Sequence, residues 1–301
     1  MRKSFCWSLE RGDLLPVILM APAVLLVFCV LVLPLCYGIF LSFFDFGFGG
    51  FVPSRDFVGL KHYAAFLRDT TALRAVANTL AFSAGAIAGD FVIGTAAAVL
   101  IFQLSRRVAA VVRPLVTVPL LISPIVVGLI WRYMYDPRGL VYWLLGRVGV
   151  TIDMFPGVTA ASTALLSTVI AHWWQVVPFV VIVITAGLVS IPVELYEAAY
   201  ADGAGAFTSF WRITFPLLRE VYVVILLISG VDTIKVFDIV FALTGGGPND
   251  STVTTSIYAY SQGFSNSNLS YAMTISVVAM LVTFLVFGLP FIRHNRARAA
   301  R

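Results

Sequence analysis

Apolar residues in this chain come in long runs. Six of them, 14–43, 76–103, 111–134, 163–189, 221–243 and 271–292, match or exceed the roughly 20 residues a helix needs to cross about 30 Å of hydrocarbon. The pattern predicts an all-α integral membrane bundle of six transmembrane helices. It forms a single transmembrane domain over 1–301 with its core at about 14–292. Pro114, Pro119 and Pro124 predict a kinked third span, tolerable where neighbours repair the broken hydrogen bonds. Between the first two runs, Leu60, Tyr63, Phe66, Leu67 and Leu73 are spaced as on an amphipathic surface helix over 57–76. Asp136-Pro137-Arg138-Gly139 reads as a turn, and the apolar stretch 140–145 after it suits the membrane interface. No internal repeat of the kind found in many secondary transporters is visible.

Composition agrees. Sixty per cent of the 301 residues are hydrophobic and 12% are charged, against roughly half and a quarter in soluble proteins, so the bilayer must solvate much of the chain. The net charge of +5 does not point to nucleic acid, because the basic residues lie between apolar blocks and at the termini, as orientation signals do. The termini and the second and fourth connections hold twelve Lys and Arg, from Arg2, Lys3 and Arg11 to the Arg293, Arg296, Arg298, Arg301 tail; the other connections hold six. That bias predicts both termini on the cytoplasmic side. The first run is longer than a signal-peptide core, about 7–15 residues, and is read as an uncleaved anchor. Cys6, Cys29 and Cys36 imply no disulfide framework, and His62, His172 and His294 are too scattered for a metal cluster.

The fourth connection, 191–218, is the unusual one. Pro192 suits a first helical turn and Glu194 and Glu197 favour the same end through the helix dipole. Ala198, Ala199 and Ala201 are strong helix formers, and Gly203 supplies the freedom for a sharp stop. A second short helix then runs to Pro216. The expectation is a helix–turn–helix knob whose small side chains admit another protein's surface, with Glu197 offering charge to a basic partner. An ordinary loop packed on its own bundle would read the same.

The run resembles the EAA loop of binding-protein-dependent ABC permeases, Glu-Ala-Ala, three residues, Gly, nine residues, Ile-x-Leu-Pro. Here Glu197, Ala198, Ala199, Gly203, Ile213 and Pro216 occupy those places, Asp202 and Ala204 match the longer Asp-Gly-Ala form, and Phe215 replaces Leu. Phe57-Val58-Gly59-Leu60 with Tyr63, Asn78-Thr79-Leu80, Ile130-Trp131-Arg132-Tyr133-Met134, Phe237-Asp238 and Leu243-Thr244-Gly245-Gly246-Gly247-Pro248 look like the sugar-importing branch. That branch resembles the maltose and glycerol-3-phosphate permeases, here without a large extracytoplasmic insertion. The resemblance implies a cytoplasmic coupling loop in a bacterial inner-membrane permease, with Glu197, Ala198, Ala199, Asp202, Gly203, Ala204, Phe210, Ile213 and Pro216 facing an ATPase. It further implies a second permease subunit as heterodimer partner, a homodimeric ATP-binding subunit carrying ATP and Mg, and an extracytoplasmic solute-binding protein. This chain would then hold no cofactor and no catalytic residue; it has no Gly-x-x-x-x-Gly-Lys-[Ser/Thr] to cradle phosphates.

Charged groups within membrane spans are functional candidates by default. Asp232, Lys235 and Asp238 are three apart in the fifth run, placing Lys235 within reach of both carboxylates. They read either as a self-neutralised triad or as pathway groups for hydroxyls. Ser229 and Thr233 share a face of the same run, and Trp174, Gln175 and Phe179 cluster with Trp173 around Pro178 in the fourth. His172 and Asp90 are expected to be a buried pair. An ATP-driven importer of a sugar, polyol or sugar phosphate accounts for the loop. An ion-driven transporter using Asp90, Asp232 and Lys235 leaves it unexplained, and a membrane enzyme has no nucleophile–base pair to support it.

Overall fold

A computed structural model describes residues 15–45 and 56–292, with side chains from residue 19 onward. Arg2, Lys3, Arg11, Arg55, the arginines of the tail, Cys6 and His294 lie outside the described residues.

All six predicted spans fall on helices. Four are unbroken: α1 (Leu19–Leu41), α3 (Thr70–Gln103), α7 (Ala161–Val189) and α13 (Leu269–Ile292). The third span is a bent pair, α4 (Arg106–Leu121) with α5 (Pro124–Met134), at 100°; the fifth begins in α10 (Arg219–Ile234), which follows α9 (Ala206–Leu217) of the fourth connection at a 66° bend. The kink expected from the prolines is thus a sharp break. Its freed carbonyl at Ile122 accepts a hydrogen bond from Gln175 Nε2 at 2.8 Å, the repair by a neighbouring helix that a bilayer demands.

Short helices fill the connections: α2 (Lys61–Phe66), α6 (Leu140–Arg147), α8 (Val193–Ala201), α11 (Asp238–Leu243) and α12 (Thr255–Tyr260). The turn ahead of α6 forms as expected, with the Arg138 N–H donating to Asp136 Oδ1 at 2.9 Å. The amphipathic helix expected over 57–76 does not form as one element. Asp69 ends it by capping α3, its Oδ1 accepting from the Thr71 and Ala72 N–H groups at 2.9 and 3.1 Å. A cap competes with helix continuation because its backbone must leave the helical region, and Asp69 sits at φ −83°, ψ 106°. Of the five spaced residues Phe66 is buried, while Leu60, Leu67 and Leu73 stay exposed.

The fifth span departs from the expectation as well. Helix α10 stops at Ile234 and α11 begins at Asp238, so the run 221–243 is not continuous. The freed Val236 carbonyl accepts from Thr254 Oγ1 at 3.1 Å.

Packing centres on α3 against α7. Small residues let these helices approach closely: a Cβ at Gly94 would lie 2.5 Å from Val180, and one at Gly89 would lie 2.0 Å from the Trp173 ring. The Trp173 indole N–H donates to the Gly85 and Ala86 carbonyls at 3.2 and 3.1 Å. Toward the Gln103 end of α3, Ala98, Ile101, Val181, Ile184 and Ile225 form the core. Nearer the Asp69 end, Phe82, Ala86, Val169, Val240 and Ile257 do so.

Candidate functional site

Two regions collect the residues singled out from the sequence. The first is the 191–218 knob. Pro192 stands just before α8 with φ −58°. Helix α8 ends on a left-handed Gly203, φ +78°, with the Gly203 N–H bonded to the Tyr200 carbonyl and the Ala204 N–H to the Ala199 carbonyl, both at 2.9 Å. This pair of bonds satisfies the last carbonyls of a helix and needs a residue free to take positive φ. The two arms are pinned by Tyr196 Oη and Thr214 Oγ1 at 2.9 Å. Around the turn the protein leaves its surface open. Glu197, Ala198, Asp202, Gly203 and Pro216 are exposed, Ala199, Ala204, Phe210 and Ile213 half-buried. Glu197 has no ion-pair partner among the described residues.

The sequence reading missed the aromatic character of this surface. Tyr200 is 83% exposed and Phe207 78%. Phe207, Trp211, Phe210 and Phe215 contact one another in turn, with ring centroids 5.1–6.4 Å apart. Phe215 reaches Tyr222, and Tyr222 stacks on Phe91 of α3. A cluster of large exposed rings is the kind of apolar patch that marks a contact surface, and the crowding of Tyr196, Tyr200, Phe207, Phe210, Trp211 and Phe215 into one connection was the available clue.

The second region is a cavity of about 430 Å³ between α7, the α4–α5 break and the α10–α11 break. His172, Gln175, Asp232, Lys235 and Asp238 line it together with Phe237. Lys235 Nζ lies 2.8 Å from Asp232 Oδ1 and forms no ion pair with Asp238. The expected triad is therefore a pair plus a separate carboxylate, because the helix breaks between Lys235 and Asp238 and carries the latter away from the i, i+3 position. Ser229 and Thr233 are buried beside this cavity without lining it, and Thr233 Oγ1 donates to the Gly230 carbonyl. Trp174 leaves the group as well. It meets Trp131 edge-on at 6.2 Å in a separate apolar cavity of about 480 Å³ near Pro178. Phe179 packs on the α3–α7 core. The pairing expected of His172 and Asp90 is present, Nε2 to Oδ2 at 3.3 Å.

At the Asp69 end, Asp69 Oδ2 also accepts from Tyr258 Oη at 2.5 Å and Tyr271 Oη at 2.6 Å. Burial pushes the Asp69 carboxyl up, but these phenols and the two N–H groups outweigh it and hold it below the ordinary 3.8. Burial, with the carboxylate beside it, pushes Tyr258 up to about 12. Asn78 Nδ2 donates to the Asp250 and Val253 carbonyls at 2.9 and 3.1 Å, and the Thr255 N–H donates to Thr79 Oγ1 at 2.9 Å. The loop after Leu243, with left-handed Gly245 and Gly246, is thereby tied to α3.

A helical bundle of apolar spans with an exposed knob and a polar cavity between broken helices has the build of a membrane transport component. Residues 71–299 match the family described as binding-protein-dependent transport system inner membrane component, and the chain belongs to that family. It is the permease of an ABC importer, a multi-pass inner-membrane protein that is not itself catalytic and in which no cofactor is expected. The family removes the ion-driven and enzymatic alternatives. The trehalose/maltose transport system permease MalF of Thermococcus litoralis is 32% identical over 248 residues, 82% of this chain and 83% of that one. The sulfoquinovosyl glycerol permease SmoG of Agrobacterium fabrum is 32% identical over 282 residues, 92% of this chain and 90% of that one. The fold matches a chain of a bacterial ABC transporter involved in the import of the acidic polysaccharide alginate, with a TM-score of 0.81 at 22% identity over 99% of this chain and 100% of that one.

Proposed function

We propose that this permease moves a sugar, or a related polyol or sugar phosphate, inward through the cavity lined by Gln175, Asp232, Lys235 and Asp238, driven through the 191–218 knob by a separate homodimeric ATPase. A second permease completes the translocation unit as a heterodimer, and an extracytoplasmic solute-binding protein delivers the cargo. Both termini and the knob lie in the cytoplasm, and 1–301 acts as one permease domain. The observation that carries the coupling half is the knob's geometry: a short helix stopped on a left-handed Gly203, with Glu197 unpaired and aromatic rings exposed beside it. A charge without a partner and rings left in solvent both gain from a docked protein, the rings by burial and Glu197 by a basic residue. For the cargo, support comes from relatives named for trehalose/maltose and for sn-glycerol-3-phosphate transport, and from carboxylates, an amide and an ammonium lining one cavity, groups that hydrogen-bond hydroxyls.

The test is a native pull-down of the tagged chain expressed with its neighbouring genes, wild type against Glu197→Lys with Gly203→Asp. A Cβ at Gly203 meets open space within this chain, so the substitution acts through backbone strain and through the partner's surface. An ATPase subunit recovered with wild type and lost with the double variant is the expected result. Equal recovery of the ATPase with both would remove the knob from the coupling.

A further inference from the structure

Asp90 is fully buried on α3, 21 residues into a 34-residue apolar helix. An ionisable group at that depth is costly, roughly 2.5–3.5 kcal/mol on insertion scales, and a buried ion pair is weak evidence for a purely stabilising role, since apolar packing often does as well. One carboxylate oxygen, Oδ2, meets His172 Nε2 at 3.3 Å, while Oδ1 has no partner. Buried side-chain oxygens are ordinarily hydrogen-bonded, so this arrangement calls for a reason beyond a simple cross-link. The His172 ring is further fixed by Phe82, fully buried, which meets it edge-to-face at 5.5 Å. The same ring lines the cavity that holds Gln175, Asp232, Lys235 and Asp238. Its second nitrogen, Nδ1, has no hydrogen-bond partner among the described residues.

When one imidazole nitrogen donates to a carboxylate, the other is left as the acceptor, and the ring cannot turn without losing the bond. We propose that Asp90 is a positioning residue for transport: it holds His172 by Nε2–H so that bare Nδ1 is presented to the cavity as a fixed acceptor for a hydroxyl of the passing solute. Lys235 lines the same cavity as a donor, so the cavity offers a solute hydroxyl one group to donate to and one to accept from. Asp90 never touches the solute and acts only through the ring. The inference rests on the reading of this cavity as the solute pathway.

The deciding measurement needs no solute. The assembled transporter, with ¹⁵N-histidine in this chain, is placed in lipid nanodiscs. The chain has three histidines, so the His172 signals are identified by their loss in His172→Gln. Wild type is expected to show protonated Nε2 and bare Nδ1, and Asp90→Asn, whose amide can also donate, to lose that bias. A protonated Nδ1 in wild type, as the opposite tautomer or as imidazolium, overturns the proposal even where Asp90→Asn fails to fold. Uptake into proteoliposomes is then measured with radiolabelled maltose, trehalose and sn-glycerol 3-phosphate, each with the system's own binding protein. Asp90→Asn is expected to raise KM about tenfold for a transported probe with Vmax within about twofold. An unchanged KM beside a changed tautomer overturns the positioning role. Lys235→Ala, which leaves the Asp90–His172 pair intact, separates the two readings: no change in its KM removes the cavity from the pathway and the proposal with it.

Discussion

A methyl group added at Gly89 would sit 2.0 Å from the Trp173 ring, which is itself held by two backbone carbonyls of the same helix. Moving the ring would break both bonds, so Gly89→Ala is expected to destabilise by about 1–3 kcal/mol through overpacking. The check is a lowered midpoint of thermal unfolding in detergent, and an unchanged midpoint would show that Trp173 is not seated there. Asp69 gives a pH signature. Because its carboxyl titrates lower in the folded protein, the stability it supplies is present above the ordinary carboxylate value and is lost as pH falls below 3.8. Tyr258 is raised to about 12, so its share holds below about 10 and fades only as pH rises toward 12. Midpoints of thermal unfolding should therefore be flat with respect to this cluster between those limits, and Asp69→Asn should weaken the acid-side fall. The cap signal Asp69-Thr70-Thr71 is present in the sequence, but the apolar spacing over 57–76 reads as one helix running across it. The two phenols were not legible, because Tyr258 and Tyr271 lie far along the chain and only the fold brings them to one oxygen.

At the scale of the element, span lengths were legible and span shapes were not. A run of about 20 apolar residues announces a crossing whatever its neighbours do. The 100° break between Leu121 and Pro124 depends on Gln175 reaching the Ile122 carbonyl from another helix. Gln175→Leu removes that donor and leaves a carbonyl unsatisfied away from water, at about 1–3 kcal/mol. Loss of thermal stability, with the oligomeric assembly retained before heating, is the expected outcome, and a wild-type midpoint would mean another donor serves Ile122. The break at 235–237 was hidden for a similar reason. Val236 looks like one more span residue until Thr254, eighteen positions on, takes its carbonyl. Trp174, Gln175 and Phe179, neighbours in sequence on the continuous α7, meet three different surroundings, whereas Asp238 and His172, far apart in sequence, line one cavity.

For the whole molecule, the sequence carries a statement about sidedness that can be read directly. Twelve basic residues against six favour the termini and the knob inside. In a variant with its three cysteines replaced, a cysteine at Arg138 should react with a membrane-impermeant maleimide added to intact spheroplasts. One at Tyr200 should react only after lysis; the reverse pattern would invert the topology. The knob itself was legible because its signal is local, a helix former run, a glycine and a proline within one connection. The cavity was only partly legible, because its walls come from segments more than a hundred residues apart.

Helix α3 runs 34 residues, roughly 50 Å at about 1.5 Å per residue, and its two ends are fastened differently. Near Asp69 it is hydrogen-bonded to the 244–255 loop through Asn78 and Thr79, and to α12 and α13 through the two phenols. Near Gln103 it meets the knob's rings across an apolar groove of about 570 Å³, and Thr95 and Tyr222 of α10 are hydrogen-bonded there at 3.2 Å. The Gln103 end is thus held mainly by apolar packing and the Asp69 end by hydrogen bonds as well. On the proposed coupling, a push at the knob is expected to displace the Gln103 end of α3 more than the Asp69 end, which Asn78, Thr79 and the two phenols hold by hydrogen bonds.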